Sequence, residues 1–132
     1  MHLSLADEFI FNSTEIEISE DGNIITASEG TAVSTSDAIK IEAKKFTYNK
    51  SQSILYANSG IVKSTEDNIE IRANKLIFNQ NLSIINATGN VKIEDLNKNF
   101  LFESQNISYD IKKKIISSES KSSFKDNSNN FF

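Results

Sequence analysis

The sequence predicts an all-β fold, stacked from four copies of one strand unit about 30 residues long. The first ground is repetition: "IITASEGTAVST" at 24–35 returns as "ILYANSGIVKST" at 54–65 and as "IINATGNVKIED" at 84–95. A fixed period of this size is the mark of stacked architectures, in which each unit covers its neighbour's apolar face. The second ground is alternation. Apolar and polar residues alternate with period two inside each copy, as in a strand with one buried face. The third is punctuation: "SEDGN" at 19–23, "NKSQ" at 49–52, "NQNL" at 79–82 and "DIKKK" at 110–114 fall between the apolar runs. Asn and Asp lead these turns because they tolerate left-handed backbone and bond their own main chain.

The outgoing half of the first unit carries Phe9, Phe11, Ser13, Ile16 and Ile18. Adding 30 gives Ile39, Ile41, Ala43, Phe46 and Tyr48, and adding 30 again gives Ile69, Ile71, Ala73, Leu76 and Phe78. A further 31 gives Phe100, Phe102, Ser104, Ile107 and Tyr109. Each reads as an apolar-x-apolar-x-small strand, two spacer residues, then an apolar-x-aromatic strand. The returning half runs from Ile24, Ile54, Ile84 and Ile115 to Gly30, Gly60 and Gly89, with Ser120 at the fourth corner. Gly89 is taken as the counterpart of Gly60 with one residue deleted. Glycine at one point of a strand unit predicts a sharp bend or a close backbone approach. The small residues Ala43, Ala73, Ser104, Ala57, Ala87 and Ser118 fit a seam where two sheets converge, and the large ones fit the wider part. No helical apolar period is present. Residues 1–6 are read as a signal-peptide remnant or leader, 7–124 as the repeat domain, and 125–132 as a truncated fifth unit or a tail. The fifth-unit reading rests on "DLNKNFLF" at 95–102 returning as "DNSNNFF" at 126–132.

The chemical inventory is thin. The 132 residues contain no Cys and one His, His2, so neither a disulfide framework nor a His-based triad can be built. A formal charge of −4 argues against non-specific nucleic-acid binding. No phosphate loop, metal motif or dinucleotide fingerprint occurs, so no cofactor is expected. The acidic pairs Glu66–Asp67 and Glu94–Asp95 sit in or beside polar turns, where neighbouring acids are ordinarily solvated. "KKK" at 112–114 also occupies a turn and reads as solvated charge. The chain is therefore not expected to be an enzyme, and its apolar interior becomes the functional surface. The competing classes, without lipid binding, are a parallel β-helix, either an adhesin segment or a polysaccharide-active enzyme, and a purely structural, self-assembling β-solenoid. The carboxylate ladder such an enzyme would want is missing from the columns Glu17, Thr47, Ile77, Ser108 and Glu42, Arg72, Glu103.

The segments "IKIEAKKFTYNKSQSILYANSGIVKST" and "IEIRANKLIFNQNLSIINATGNVKIED" resemble the OstA-like repeats of the lipopolysaccharide-transport family, which includes LptA, LptC and the periplasmic amino-terminal domain of LptD. "ATGNV" at 87–91 is the nearest match to the family's Ala-x-Gly-Asn-Val corner, and the resemblance covers about residues 7–124. It departs at "ANSGIV", with an extra residue before Gly60, and at Ser120. The resemblance implies an open, twisted β-jellyroll whose two sheets form a V. Lipopolysaccharide acyl chains would ride inside it, and Lpt-type jellyroll proteins would join it end to end by strand pairing. It implies a periplasmic domain, or the periplasmic part of an outer-membrane protein, without catalysis. Separately, the strand edge left open by the unfinished fifth unit predicts head-to-tail homo-oligomers. Carried over by position, the acyl-lining residues are Ile39, Ile41, Phe46, Tyr48, Ile69, Ile71, Leu76, Phe78, Phe100, Phe102, Ile107 and Tyr109. The unfinished fifth unit favours an LptD fragment slightly over a complete LptA.

Overall fold

A computed structural model describes the backbone of residues 2–4, 9–118 and 122–126, and the side chains of 9–99 and 101–118. The expectations for residues 5–8, 119–121 and 127–132, including the corner at Ser120 and most of the fifth-unit opening, lie outside the described residues. The described residues form ten strands and no helix: β1 (His2–Ser4), β2 (Ile10–Ile18), β3 (Ile24–Ser34), β4 (Ile39–Asn49), β5 (Ile54–Ser64), β6 (Ile69–Asn79), β7 (Ile84–Asp95), β8 (Phe100–Asp110), β9 (Ile115–Ser117) and β10 (Ser122–Asp126). They pair as one antiparallel meander in chain order from β1 to β8. The far edge of β8 is covered in two pieces, by β9 opposite 108–110 and by β10 opposite 100–104. The path does not close into a barrel. Antiparallel ladders throughout exclude the parallel β-helix.

The repeat is a pair of strands, and each strand is longer than its sequence pattern suggests. The two short outgoing strands form one strand of 11 residues in β4, β6 and β8, bent where the spacer residues stand. The bend is visible in the phase of burial. Inward residues are spaced by two along each half, as at Ile39 and Ile41 or at Phe46 and Tyr48, but by three across the corner from Ala43 to Phe46. The same skip separates Ala73 from Leu76 and Ala57 from Gly60. Skipping one residue keeps the same face inward on both sides of the bend, so the sheet folds into a V with its apolar side inside. Aromatic contacts cross that fold. Phe9, just ahead of β2, meets Tyr48 at the far half of β4 with ring centroids 5.0 Å apart, and Phe78 in β6 at 5.5 Å.

The glycines serve the bend differently from the sequence reading. Gly30 and Gly60 are not left-handed; the residues before them, Glu29 and Ser59, are, at φ 41° and 50°. Gly30 is required by approach instead, since a Cβ there would overlap the Asn12 carbonyl oxygen. Gly89 is not the counterpart of Gly60. Gly60 pairs with Ala43 and Ala73, whereas in β7 the residue opposite Ser104 is Val91, and the ladder shifts between Thr88 and Val91. β7 thus gains a residue rather than losing one. Gly89 and Asn90, at φ 84° and 49°, together fill the place of Ser59 as a β-bulge. This extra residue is why the interval lengthens from 30 to 31 before Phe100.

The turns form two rims along the mouth of the V. One holds residues 35–38, 65–68 and 96–99, the other residues 19–23, 50–53, 80–83 and 111–114. Successive turns of a rim are stitched together. Ala38, Ser53, Asn68 and Ser83 are left-handed, at φ 54° to 55°. Their carbonyls accept from Thr65, Gln80, Leu96 and Ile111 N–H respectively, all at 3.0 Å. Only one of these four is Asn, so the stacking bond, not the residue's own tolerance, holds the backbone there.

Candidate functional site: the interior and mouth of the trough

The interior is filled. Ile39, Ile41, Phe46, Tyr48, Ile71, Leu76, Phe78, Ile107 and Tyr109 are all buried in one core. Ile69 and Phe102 are half-buried and pack against its edge. Phe100 lies on β8 opposite Asp95 and Asp126, and its side chain is outside the described ones. The sequence-derived lining therefore lies on the inner face wherever its side chains are described. It omits the inward residues of the returning strands, Ile25, Leu55, Val62, Ile85 and Ile93, which are equally buried. The same period-two pattern marks them, and a lining drawn from the outgoing halves alone leaves them out.

The two ends of the trough differ. At the β2 end, Phe9, Phe11, Phe46, Tyr48 and Phe78 form a continuous aromatic cluster, with edge-on contacts from Phe9 to Tyr48 and Phe78 and from Phe11 to Phe46. At the β8 end a cavity of about 510 Å³ lies between the rims. Its apolar wall is Ile69, Ile93, Phe102 and Ile116, and its polar margin is Asp67, Asp95, Asn97, Lys98 and Lys114. This volume falls within the range of about 300–1,000 Å³ common for small-molecule sites.

Polar contacts join the rims across the mouth at two levels. Deeper in, Ser83 Oγ donates to Asp37 Oδ1 at 2.9 Å. One repeat further on, Tyr109 Oη donates to Asp67 Oδ2 at 3.0 Å, and Lys114 Nζ lies 3.0 Å from Asp67 Oδ1. Asp67 is itself largely covered, at 15% side-chain exposure, while Lys114 is 64% exposed. The Lys114 hydrogen bond, aided by that from Tyr109, holds the Asp67 carboxyl below the usual Asp value against the opposing effect of burial. Burial, then the Asp67 hydrogen bond and charge, push the Tyr109 phenol up to about 12. The Asp67 bond likewise raises the Lys114 ammonium.

Sequence reasoning missed this cluster, treating Asp67 and Lys114 as solvated turn charges. A signal was present in the register: Asp37 and Asp67 are 30 apart, and Ser83 and Lys114 are 31 apart. Among the described residues no group of three His, Cys, Asp or Glu side chains could hold a metal ion.

No protein-family model matches the chain, and no curated protein sequence is significantly similar to it. Its architecture is similar to a solved one. The crystal structure of LptH from Pseudomonas aeruginosa superimposes with a TM-score of 0.75, covering 89% of this chain and 94% of that one at 9% identity. LptH is described as the LptA-homologous periplasmic component of the conserved lipopolysaccharide transport device. At that identity the likeness is one of fold: this chain has an LptA-like β-jellyroll.

Proposed function

We propose that this chain is a non-catalytic, lipid-carrying domain of a lipopolysaccharide transport device, working in the periplasm with acyl chains held inside its V. The observation that carries this reading is a one-faced apolar sheet, bent along its whole length and unclosed, in the architecture of a periplasmic transport component. Physically the arrangement suits its load. An acyl chain in water costs roughly 25 cal/mol for every Å² of apolar surface it exposes, and an apolar trough removes most of that. The lining would comprise the twelve residues carried over from the resemblance and the inward returning-strand residues beside them. Partners would be other Lpt-type jellyroll proteins, added as strands to the outer edges of β1 and of β9 with β10.

A photo-crosslinking residue at position 46 or 76, in cells exporting lipopolysaccharide, should capture lipopolysaccharide, and one at position 50 or 112 should not. Crosslinks that follow the lysine turns instead would mean that the interior is only a core and that binding is electrostatic. A self-assembling structural β-solenoid without lipid would give no crosslink at either place.

A further inference from the structure

We propose that Asp67, Tyr109 and Lys114 form a latch holding the two rims together at the β8 end, and that a lipid chain exchanges with the interior by breaking it there. The inference rests on the acyl-carrying reading and adds where and how the trough opens. The interior has no spare room: its large side chains, from Tyr48 to Tyr109, are packed to near-zero exposure. A chain can enter only if the rims part. The β2 end resists parting, because Phe9 is wedged against Tyr48 and Phe78 across the fold. The β8 end already has an apolar cavity, and Ile116 on its wall is 36% exposed.

The Asp67 cluster joins that cavity to the packed interior: Asp67 and Lys114 line the cavity, and Tyr109 belongs to the core. One carboxylate is held by two groups of the opposite rim, a phenol on β8 and an ammonium on the turn after it, one to each oxygen. Both bonds are polar and the lysine is mostly in water, so they can be exchanged for water as the rims separate. A hydrophobic seam offers no such replacement, since parting it leaves apolar surface exposed. Behind this latch Ser83 and Asp37 make the same connection one repeat deeper, with a single hydrogen bond. The arrangement favours opening that starts at Asp67 and moves inward rung by rung, each chain segment taking the space the parting rims vacate.

The absence of cysteine makes the test direct. Cysteines replacing the exposed Glu66 and Lys113, one on each rim, carry spin labels whose separation reports the mouth, and a second pair replacing Thr35 and Asn81 reports the deeper level. Asp67→Asn and Lys114→Gln should lengthen and broaden the first distance with the second little changed. Both should also raise the association and dissociation rates of cis-parinaric acid several-fold. In the Glu66→Cys, Lys113→Cys double variant, a short bismaleimide joining the two introduced thiols should slow uptake of the same probe to a small fraction of that of the untethered protein. Unchanged rim distances in both latch variants would overturn the latch, and tethered protein loading as fast as free protein would overturn the β8 end as the exchange site. Rims that part in a protein to which the probe never binds would instead demonstrate the latch and remove the acyl-carrying reading, with the exchange step that depends on it.

Discussion

At the scale of single residues, alternation makes a sharp claim about which side chains the fold can spare. Phe78 and Ile71 are fully buried, and Lys50 is exposed on a rim turn. An unpaired carboxylate at either buried position costs several kcal/mol, comparable with the roughly 5–15 kcal/mol by which a domain is stable. Phe78→Asp and Ile71→Asp should therefore unfold the chain or abolish lipid binding, while Lys50→Asp melts like the parent in thermal denaturation. Three equally stable variants would mean that the two faces are inverted. The glycines permit a finer ranking. In Gly30→Ala the new Cβ meets main chain, overlapping Asn12 O and lying 2.7 Å from Ser13 Cα, so β2 must move away from β3. In Gly60→Ala the first contact, at 2.8 Å, is Leu76 Cδ1, the end of a buried side chain that must give by a few tenths of an ångström, and the nearest main-chain atom, Glu42 O, is 3.1 Å away. Overpacking ordinarily costs about 1–3 kcal/mol. Gly60→Ala should fall within that range and Gly30→Ala at or beyond its top, as read from urea midpoints. A reversed order would show that the β2–β3 pair yields more easily than the core at Leu76.

At the scale of elements, the sequence yielded what depends on neighbours two residues away and hid what depends on the partner strand. The starts of β3 to β8 follow from the recurring Ile and Phe positions, because burial on one face imposes period two. The bulge in β7 does not, since Gly89 aligns plausibly with Gly60 until the ladder places Val91 opposite Ser104. The rim contacts were hidden for a similar reason. Asp67 and Lys114 are 47 positions apart in the numbering, more than a repeat and a half, and meet only because the two halves of the V lie across from one another. Their titration gives this element its own signature. Asp67 has a folded-state pKa below its ordinary value, so its stabilising contribution is complete above about pH 4 and is lost as pH falls through the depressed value. Tyr109 is displaced the other way. Its neutral form is favoured in the fold, so that contribution is present below about pH 10 and is lost as pH rises toward 12, when a phenolate would face the Asp67 carboxylate with Glu66 nearby. Asp67→Asn should flatten the acid limb of stability against pH. It should also lower the Tyr109 midpoint in an ultraviolet titration from about 12, though not to the free value, because burial is the larger cause. A midpoint unmoved by the substitution would mean that Tyr109 and Asp67 are not bonded in solution.

At the scale of the whole molecule, an open meander leaves unused backbone donors and acceptors on its outermost strands. Among the described residues, β1 pairs only with β2, and β9 and β10 pair only with β8. Edges of this kind template pairing with another chain unless they are short, charged or covered. Both are short here, three residues in β1 and three and five in β9 and β10, which weakens each contact without blocking it. The two edges are different surfaces, so a contact between them is head-to-tail. Nothing in the stack supplies a rotation that would close a ring, and such contacts propagate as open chains. Concentration-dependent open oligomers are therefore expected, in which the β10 side of one copy adds to the β1 side of the next. Removal of residues 125–132 should weaken them, and so should Phe124→Pro, which takes a donor from β10 and restricts its backbone. Sedimentation velocity over a hundredfold range of concentration decides the point. A rising weight-average coefficient in the parent, reduced in both variants, supports strand addition at these edges. A single monomer boundary throughout the range would mean that β1 and β10 cap the sheet, and that end-to-end joining requires a partner with longer edges of its own.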